Sequence, residues 1–306
     1  MKASYIERHG GPEVLTYGDL PEPVAGAGDV LVDVHAASFN RADRNVRSGA
    51  IKAPAFPCIL GRDFSGTVAA LGAGVTNLKV GDAVFGVLEG GREGTYCEKL
   101  TIKAAIVAAK PAELSHVDAV SLALPGLTAI ISVEDTLKLQ RGETILIQGG
   151  AGGVAGFAIQ LAKHLGATVI ATARRETHDY VRSLGADEVI DYETQDFTQL
   201  VSGVDAVFDT VGGDVAIRSF AVLKPGGRAA FVASGAQAPK PDRSDVTALR
   251  PAVGRARAPL ERIVALYRAG AVKPPPVKLY RLDQAPDVHR VSEGGRVRGK
   301  LVFQVR

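Results

Sequence analysis

Apolar residues in the first 120 positions come in short runs broken by glycine and charge. Val30-Leu31-Val32-Asp33-Val34 and Gly66-Thr67-Val68-Ala69-Ala70-Leu71 read as strands, and the stretch 79–86 as a turn followed by another. Together they predict a compact all-β unit. From about Leu139 the rhythm changes to strands alternating with helical stretches, the pattern of βαβ units and a parallel sheet. The strand candidates are 144–147, 168–171, 188–190, 205–208 and 228–232. Between the first two, Val154, Phe157, Ala158 and Leu161 recur at i, i+3, i+4 and i+7, one apolar helical face. Thr177 can cap a further helix that Gly185 ends. A last helix over 259–269 stops at Gly270. The prolines at 274–276 then mark a linker before a β-like end over 299–305.

Gly, Pro or charge interrupts every apolar run before the roughly 18 to 20 residues of a membrane helix, so no span is expected. The opening residues reach Glu7 and Arg8 without an apolar stretch, and the chain is read as cytoplasmic. Cys58 and Cys97 lie outside any C-x-x-C or C-x-x-H pair and read as inert thiols. The net charge of +3 is uneven: from Arg243 onward 14 Lys and Arg face 5 Asp and Glu, and the rest of the chain is net acidic. A solvated basic face and a field for an anionic ligand both fit that surplus.

The chemistry lies in Gly149-Gly150-Ala151-Gly152-Gly153-Val154-Ala155, which follows a strand and opens the amphipathic helix. Gly150-x-Gly152-x-x-Ala155 fits the dinucleotide fingerprint: the glycines allow a tight turn and close approach of backbone N–H groups to a pyrophosphate, where the helix N-terminus adds positive potential. Gly153 and Val154 begin that helix. At the tip of the second strand, where NAD-preferring sites place an acid, the chain reads Ala171-Thr172-Ala173-Arg174-Arg175. Two guanidiniums can fork onto a 2′-phosphate, so NADP(H) is the expected cofactor. No Tyr-x-x-x-Lys pair, phosphate-binding G-x-x-x-x-G-K-[ST] loop or G-x-S-x-G elbow occurs, and the six scattered histidines read as surface or satisfied structural residues.

With those residues in hand, the chain resembles the medium-chain dehydrogenase/reductase superfamily in its quinone oxidoreductase (zeta-crystallin-like) branch, over essentially its whole length. The resemblance rests on Gly10-Gly11-Pro12-Glu13-Val14-Leu15, Ala36-Ala37-Ser38-Phe39-Asn40-x-x-Asp43, Gly61-Arg62-Asp63-Phe64-Ser65-Gly66 and Val80-Gly81-Asp82-x-Val84-Phe85-Gly86. It continues through Gly152-Gly153-Val154 and the helix after it, Leu184-Gly185-Ala186-Asp187 and Leu223-Lys224-Pro225-Gly226-Gly227-Arg228. It implies an α/β fold: a doubly wound parallel Rossmann sheet over 121–270, plus a GroES-like all-β catalytic domain over 1–120 and 271–306, with cofactor and substrate meeting in the cleft between. Where zinc-dependent relatives carry metal ligands, Asn40, Arg62 and Pro125 stand here. The resemblance therefore implies a zinc-independent reductase without a metal site.

Carried over by position, Asn40 lies by the nicotinamide and substrate, and Asp43 supports its loop. Thr128 matches a residue at the nicotinamide ribose, Arg174 and Arg175 match the 2′-phosphate loop, Tyr192 lies near the adenosine end, and Val232 to Ser234 flank the carboxamide. The expected reaction is hydride transfer to a quinone or an α,β-unsaturated carbonyl, with the Asn40 amide donating to the developing enolate. The alternative enzyme reading is a reductase of 2-alkenals, haloacrylates or acyl thioesters. Members of that branch often carry tyrosines lining the quinone pocket in the stretch after the Asp43 position; none lies between Asn40 and Gly66 here, so the resemblance disfavours bulky aromatic quinones. The alternative of another class is a nucleotide-sensing or RNA-binding protein that keeps the fold and uses the basic tail. A homodimer is expected, and neither a membrane nor a nucleic acid is expected as a partner.

Overall fold

A computed structural model describes residues 1–235 and 237–306 of the chain. It divides into two compact units, Met1–Leu124 with Gly254–Ala265 and Pro274–Arg306, and Pro125–Val253 with Leu266–Lys273.

The first unit holds an almost entirely antiparallel sheet whose long central strand, Asp29–Ser38, is bonded to Asp63–Leu71, Lys99–Lys103 and the C-terminal strand Lys300–Gln304. Val30, Val32 and Val34 alternate inward to a core with Phe64, Leu100, Ile102 and Phe303, the period-2 burial of a half-buried sheet. The unit is not all-β. A short polar helix, Arg41–Ser48, follows the long strand, and another, Ala285–Glu293, precedes the last one. Residues 254–265 also pack in this unit, although the Rossmann portion was expected to run to 270. They are tied down by Arg255 Nε, which donates to the Leu88 carbonyl at 2.9 Å, and by Arg257 on the Ala104 carbonyl.

The second unit is a six-stranded parallel sheet in the order Glu188–Asp191, Thr168–Ala173, Thr144–Gln148, Val204–Asp209, Leu223–Phe231, Thr247–Leu249. Five of these strands coincide with the sequence reading, within a few residues at the ends. The sixth, three residues long, falls in a basic stretch without apolar alternation. The glycine-loop helix spans Gly153–Leu165 and ends on Gly166, whose φ of 86° needs no Cβ.

One element contradicts the sequence reading. The segment His116–Thr136 is a continuous helix, α over His116–Ile130 and a wider π turn over Ile131–Thr136, despite Pro125 and Gly126. By length and composition it could cross a membrane, but 83% of its apolar window is buried inside the fold, as in the core helix of a globular protein.

The histidines also divide differently from the expectation. His289 is fully buried with neither ring nitrogen bonded, edge-on to Phe39 at 4.9 Å between ring centroids, so it is packed rather than satisfied. His35 and His116 stack at 4.2 Å, bonded to Thr67 and Ser65 hydroxyls respectively. Burial, reinforced by the neighbouring ring, pushes His116 down from 6.5 to about 4. The fold thus favours the neutral ring, so this contribution is complete above pH 6.5 and is lost as pH falls towards 4. Thermal melts should show wild type losing ground to His116→Gln across that interval; a pH-independent difference in Tm contradicts this.

Candidate functional site

The glycine loop of the second unit is held from below. Thr172 at the second strand's tip donates its hydroxyl to Gln148 Oε1 at 2.7 Å and accepts from the Gly149 N–H at 3.1 Å, while the Gly150 N–H donates to the Thr172 carbonyl at 2.8 Å. Thr172, counted from the sequence among the cofactor-binding residues, is 2% exposed and holds the loop from beneath. Gly149 has a φ of 79°. A Cβ on Gly150 would lie 3.1 to 3.3 Å from Val181, Ala171 and Ile159, so a side chain there would crowd the loop against the sheet. Gly152 caps the helix with no side chain, leaving the opening N–H groups around Gly153 and Val154 without a capping acceptor. That is a seat for an anion.

At the strand tips, Arg174 Nε lies 3.0 Å from a Glu193 carboxylate oxygen, and its guanidinium sits over the Tyr192 ring at 6.0 Å from the centroid. Arg175 is exposed and Tyr192 is about half-exposed. The two arginines and the tyrosine thus share one basic, accessible tip. Val232 continues the fifth strand by donating its N–H to the Asp209 carbonyl at 3.1 Å. Two residues on, the Ser234 hydroxyl is buried without a partner, a polar group of the kind that a bound amide would satisfy. Thr128 is buried on its helix, and its hydroxyl has no partner among the described residues. A glycine cradle, an orphaned serine and a basic tip together fit a phosphorylated dinucleotide.

The first unit gathers a second cluster around Asn40 and Asp63. Asn40 precedes the helix Arg41–Ser48, and its N–H donates to Asp43 Oδ2 at 2.8 Å, half of a capping box. Asp43 is fully buried and also accepts from the Tyr96 hydroxyl at 2.7 Å; burial pushes its carboxyl up to about 6. The Asn40 side chain is fully engaged. Its Nδ2 donates to the Ser38 carbonyl at 3.2 Å and to Asp63 Oδ1 at 2.8 Å, and its Oδ1 accepts from Lys300 Nζ at 2.8 Å. Both amide hydrogens are therefore committed, and in this geometry Asn40 has none left for a developing enolate. In this geometry the amide ties Ser38, Asp63 and Lys300 together, and the donor role expected from the sequence would require it to release one of these bonds.

Two partners of this cluster were missed. Asp63 is fully buried and accepts from Ser38 and Asn40, and from the Leu124 N–H at 3.4 Å. Lys300 is 6% exposed, with its ammonium on the Phe39 carbonyl and Asn40 Oδ1. Burial lowers its pKa, against the pull of Asp63 and Asp43. Beside them, Arg62 Nε pairs with Glu93 Oε1 at 2.6 Å.

Zinc does not fit this cluster. Asn40 Oδ1 is already taken by an ammonium, and the adjacent guanidinium repels a dication. Among the described residues no three His, Cys, Asp or Glu are grouped to hold a metal. Cys58 and Cys97 are buried and their thiols pushed up to about 12, which makes them inert as expected.

Comparison with known proteins agrees with both units. Residues 26–112 match the alcohol dehydrogenase GroES-like domain, and residues 184–303 match a family described as zinc-binding dehydrogenase. The chain is 34% identical to 2-methylene-furan-3-one reductase of Solanum lycopersicum, over 99% of this chain and 79% of that protein. It is 33% identical to the chloroplastic NADPH-dependent alkenal/one oxidoreductase of Arabidopsis thaliana, with the same two coverages. The quinone oxidoreductase structure from Coxiella burnetii superposes with a TM-score of 0.93 at 34% identity, over 100% of this chain and 99% of that one. With a GroES-like sheet and a parallel nucleotide-binding sheet in one chain, and relatives at this identity over nearly the whole of this chain, the chain belongs to the quinone oxidoreductase branch of the medium-chain dehydrogenase/reductase superfamily.

Proposed function

We propose that the chain is an NADPH-dependent, zinc-independent reductase of electron-poor C=C bonds conjugated to a carbonyl, with quinones as further acceptors. The observation that carries this is the accessible Arg174–Arg175 tip beyond a glycine loop that no capping side chain blocks. Relatives named for enone and alkenal reduction support the acceptor class. Where the resemblance to the quinone oxidoreductase branch would place pocket-lining tyrosines, none lies between Asn40 and Gly66, which supports small enones over bulky aromatic quinones.

When bound, NADPH supplies a hydride; the rest is done by this chain. Gly150, Gly152, Gly153 and Val154 present backbone N–H groups to the pyrophosphate, with Thr172 locking the turn. Arg174 and Arg175 clamp the 2′-phosphate, and Tyr192 stacks beside Arg174 at the adenosine end. Thr128 offers its hydroxyl to the nicotinamide ribose, and Ser234 with the backbone at Val232 offers donors to the carboxamide. Asn40 and Asp43 hold the loop that faces the substrate. The proton that completes reduction of the α-carbon comes from water, since no side chain stands out as a dedicated acid.

The test is turnover of purified protein with NADPH and NADH against a small enone, a 2-alkenal, a naphthoquinone and a saturated ketone. NADPH oxidation with the enone or alkenal and none with the ketone is expected; no oxidation with any acceptor overturns the proposal. Because Asn40 and Arg62 cannot hold zinc, overnight chelation should leave turnover unchanged. One stoichiometric zinc per chain, with activity lost on its removal, would contradict that part.

A further inference from the structure

Hydride addition to an enone shifts the C=C pair into the enolate double bond and the C=O π pair onto the carbonyl oxygen, and this charge must be met by a preorganised donor. The donors gathered around Asn40 are almost all spent. The Asn40 amide gives its hydrogens to Ser38 and Asp63, the Ser38 hydroxyl is on Asp63, the Tyr96 hydroxyl is on Asp43, and the buried Lys300 ammonium is on Phe39 and Asn40.

Arg62 differs. Only its Nε is engaged, by Glu93 at 2.6 Å, and its two terminal NH2 groups take no acceptor among the described residues. The Arg62 side chain is 21% exposed, while Glu93 beneath it is 2% exposed. The guanidinium is therefore fixed at one edge by a buried carboxylate and open at the other. Its backbone is fixed too. The Leu88 N–H donates to the Arg62 carbonyl at 2.8 Å, and the Gly94 N–H donates to the Gly61 carbonyl at 2.8 Å, which clips the Glu93 loop to the segment just before the strand Asp63–Leu71. Gly61 must be glycine here, since its φ is +94° and a Cβ would lie 2.3 Å from the Thr95 hydroxyl. The Arg62 charge is also felt at Asp43, where it opposes the upward push of burial, so the open guanidinium and the Asn40 loop share one electrostatic neighbourhood.

We propose that Arg62 is the electrophilic catalyst of this enzyme: its free guanidinium edge donates to the substrate's carbonyl oxygen and stabilises the enolate, with Glu93 as the positioning residue that holds it. The step balances without a metal. With NADPH bound, its hydride would add to the β-carbon, the C=C pair would become the enolate double bond to the carbonyl carbon while the C=O π pair goes to the oxygen held by Arg62, and water would then protonate the α-carbon as the carbonyl re-forms. The products are NADP+, the saturated carbonyl compound and hydroxide. The proposal rests on the reductase reading above and adds to it the residue that does what a Lewis acid would do.

The experiment compares wild type, Arg62→Ala, Arg62→Lys and the charge-neutral pair Arg62→Gln with Glu93→Gln. It measures kcat and KM for a small enone, the NADPH dissociation constant by nucleotide fluorescence, and Tm. For Arg62→Ala, kcat should fall about 100-fold, the usual scale for loss of one oxyanion donor, with the NADPH dissociation constant unchanged. Arg62→Lys should recover part of it. Guanidinium chloride at tens of millimolar should restore at least about a tenth of the lost rate to Arg62→Ala and nothing to wild type, a rescue that a merely structural arginine would not show. The neutral pair should keep its Tm and NADPH affinity while remaining slow. Arg62→Ala turning over within about threefold of wild type overturns the proposal, as does a loss that follows Tm and NADPH affinity and is not rescued. Wild type that reduces no enone at all overturns the reductase reading itself, and this inference falls with it.

Discussion

Replacing Arg174 and Arg175 together by alanine weakens NADPH binding by roughly 100-fold or more and leaves NADH nearly unchanged. Each charge-assisted bond to a phosphate is worth about 1.5 to 3 kcal/mol, so losing two costs at least about 3 kcal/mol. The two arginines do not contribute in the same way. Arg174 is already oriented, with Nε 3.0 Å from Glu193 and its face over Tyr192, so little entropy is lost when it closes on a phosphate. Arg175 is exposed and is ordered only by the ligand. Arg174→Ala should therefore be the more costly single change, and Glu193→Gln should also weaken NADPH slightly by loosening Arg174. Titration of nucleotide fluorescence with each cofactor decides it. Equal weakening of NADPH and NADH would make the arginines structural and remove the basis for NADPH preference.

The second large effect lies in the first unit. Lys300→Met should lower the free energy of unfolding by about 3 to 5 kcal/mol, the usual consequence of breaking a buried charged network by removing one partner. The ammonium satisfies the Phe39 carbonyl and Asn40 Oδ1, and its charge balances the fully buried Asp63. Methionine fills similar space but leaves the Phe39 carbonyl and Asn40 Oδ1 without a donor and removes the charge that faces the buried, hydrogen-bonded Asp63. Lys300→Arg should not restore stability, because a planar fork cannot replace a compact ammonium between two acceptors in so tight a space. Urea unfolding gives the answer, and an unchanged midpoint for Lys300→Met would mean that the cluster is not energetically coupled.

The nucleotide-binding unit was far more legible in the sequence than the cluster at Asn40. Its strands carry β-branched runs, and its helix Gly153–Leu165 shows a clean 3.6 period opened by glycines, all of it local information. The His116–Thr136 helix was missed because it is apolar on all sides, so no periodicity marks it, and because Pro125 and Gly126 read as breaks. The surrounding fold buries the helix and overrides those local preferences. Asp63 and Lys300 were missed as a functional pair because they are far apart in the chain and meet Asn40 only through the pairing of Asp29–Ser38 with Asp63–Leu71 on one side and Lys300–Gln304 on the other. Asn40 itself was found from its motif. Its commitment to Lys300 and Asp63 depends on the direction of side-chain bonds, which spacing does not encode.

The most direct test of the account is where the hydride lands. The purified enzyme is given NADPH deuterated at the transferred C4 position and a β-substituted enone, and the product is read by NMR. The account predicts the label on the β-carbon, an intact carbonyl and, in a parallel reaction in heavy water, solvent deuterium on the α-carbon. Label on the carbonyl carbon, with an allylic alcohol as product, would mean alcohol dehydrogenase chemistry and would contradict it.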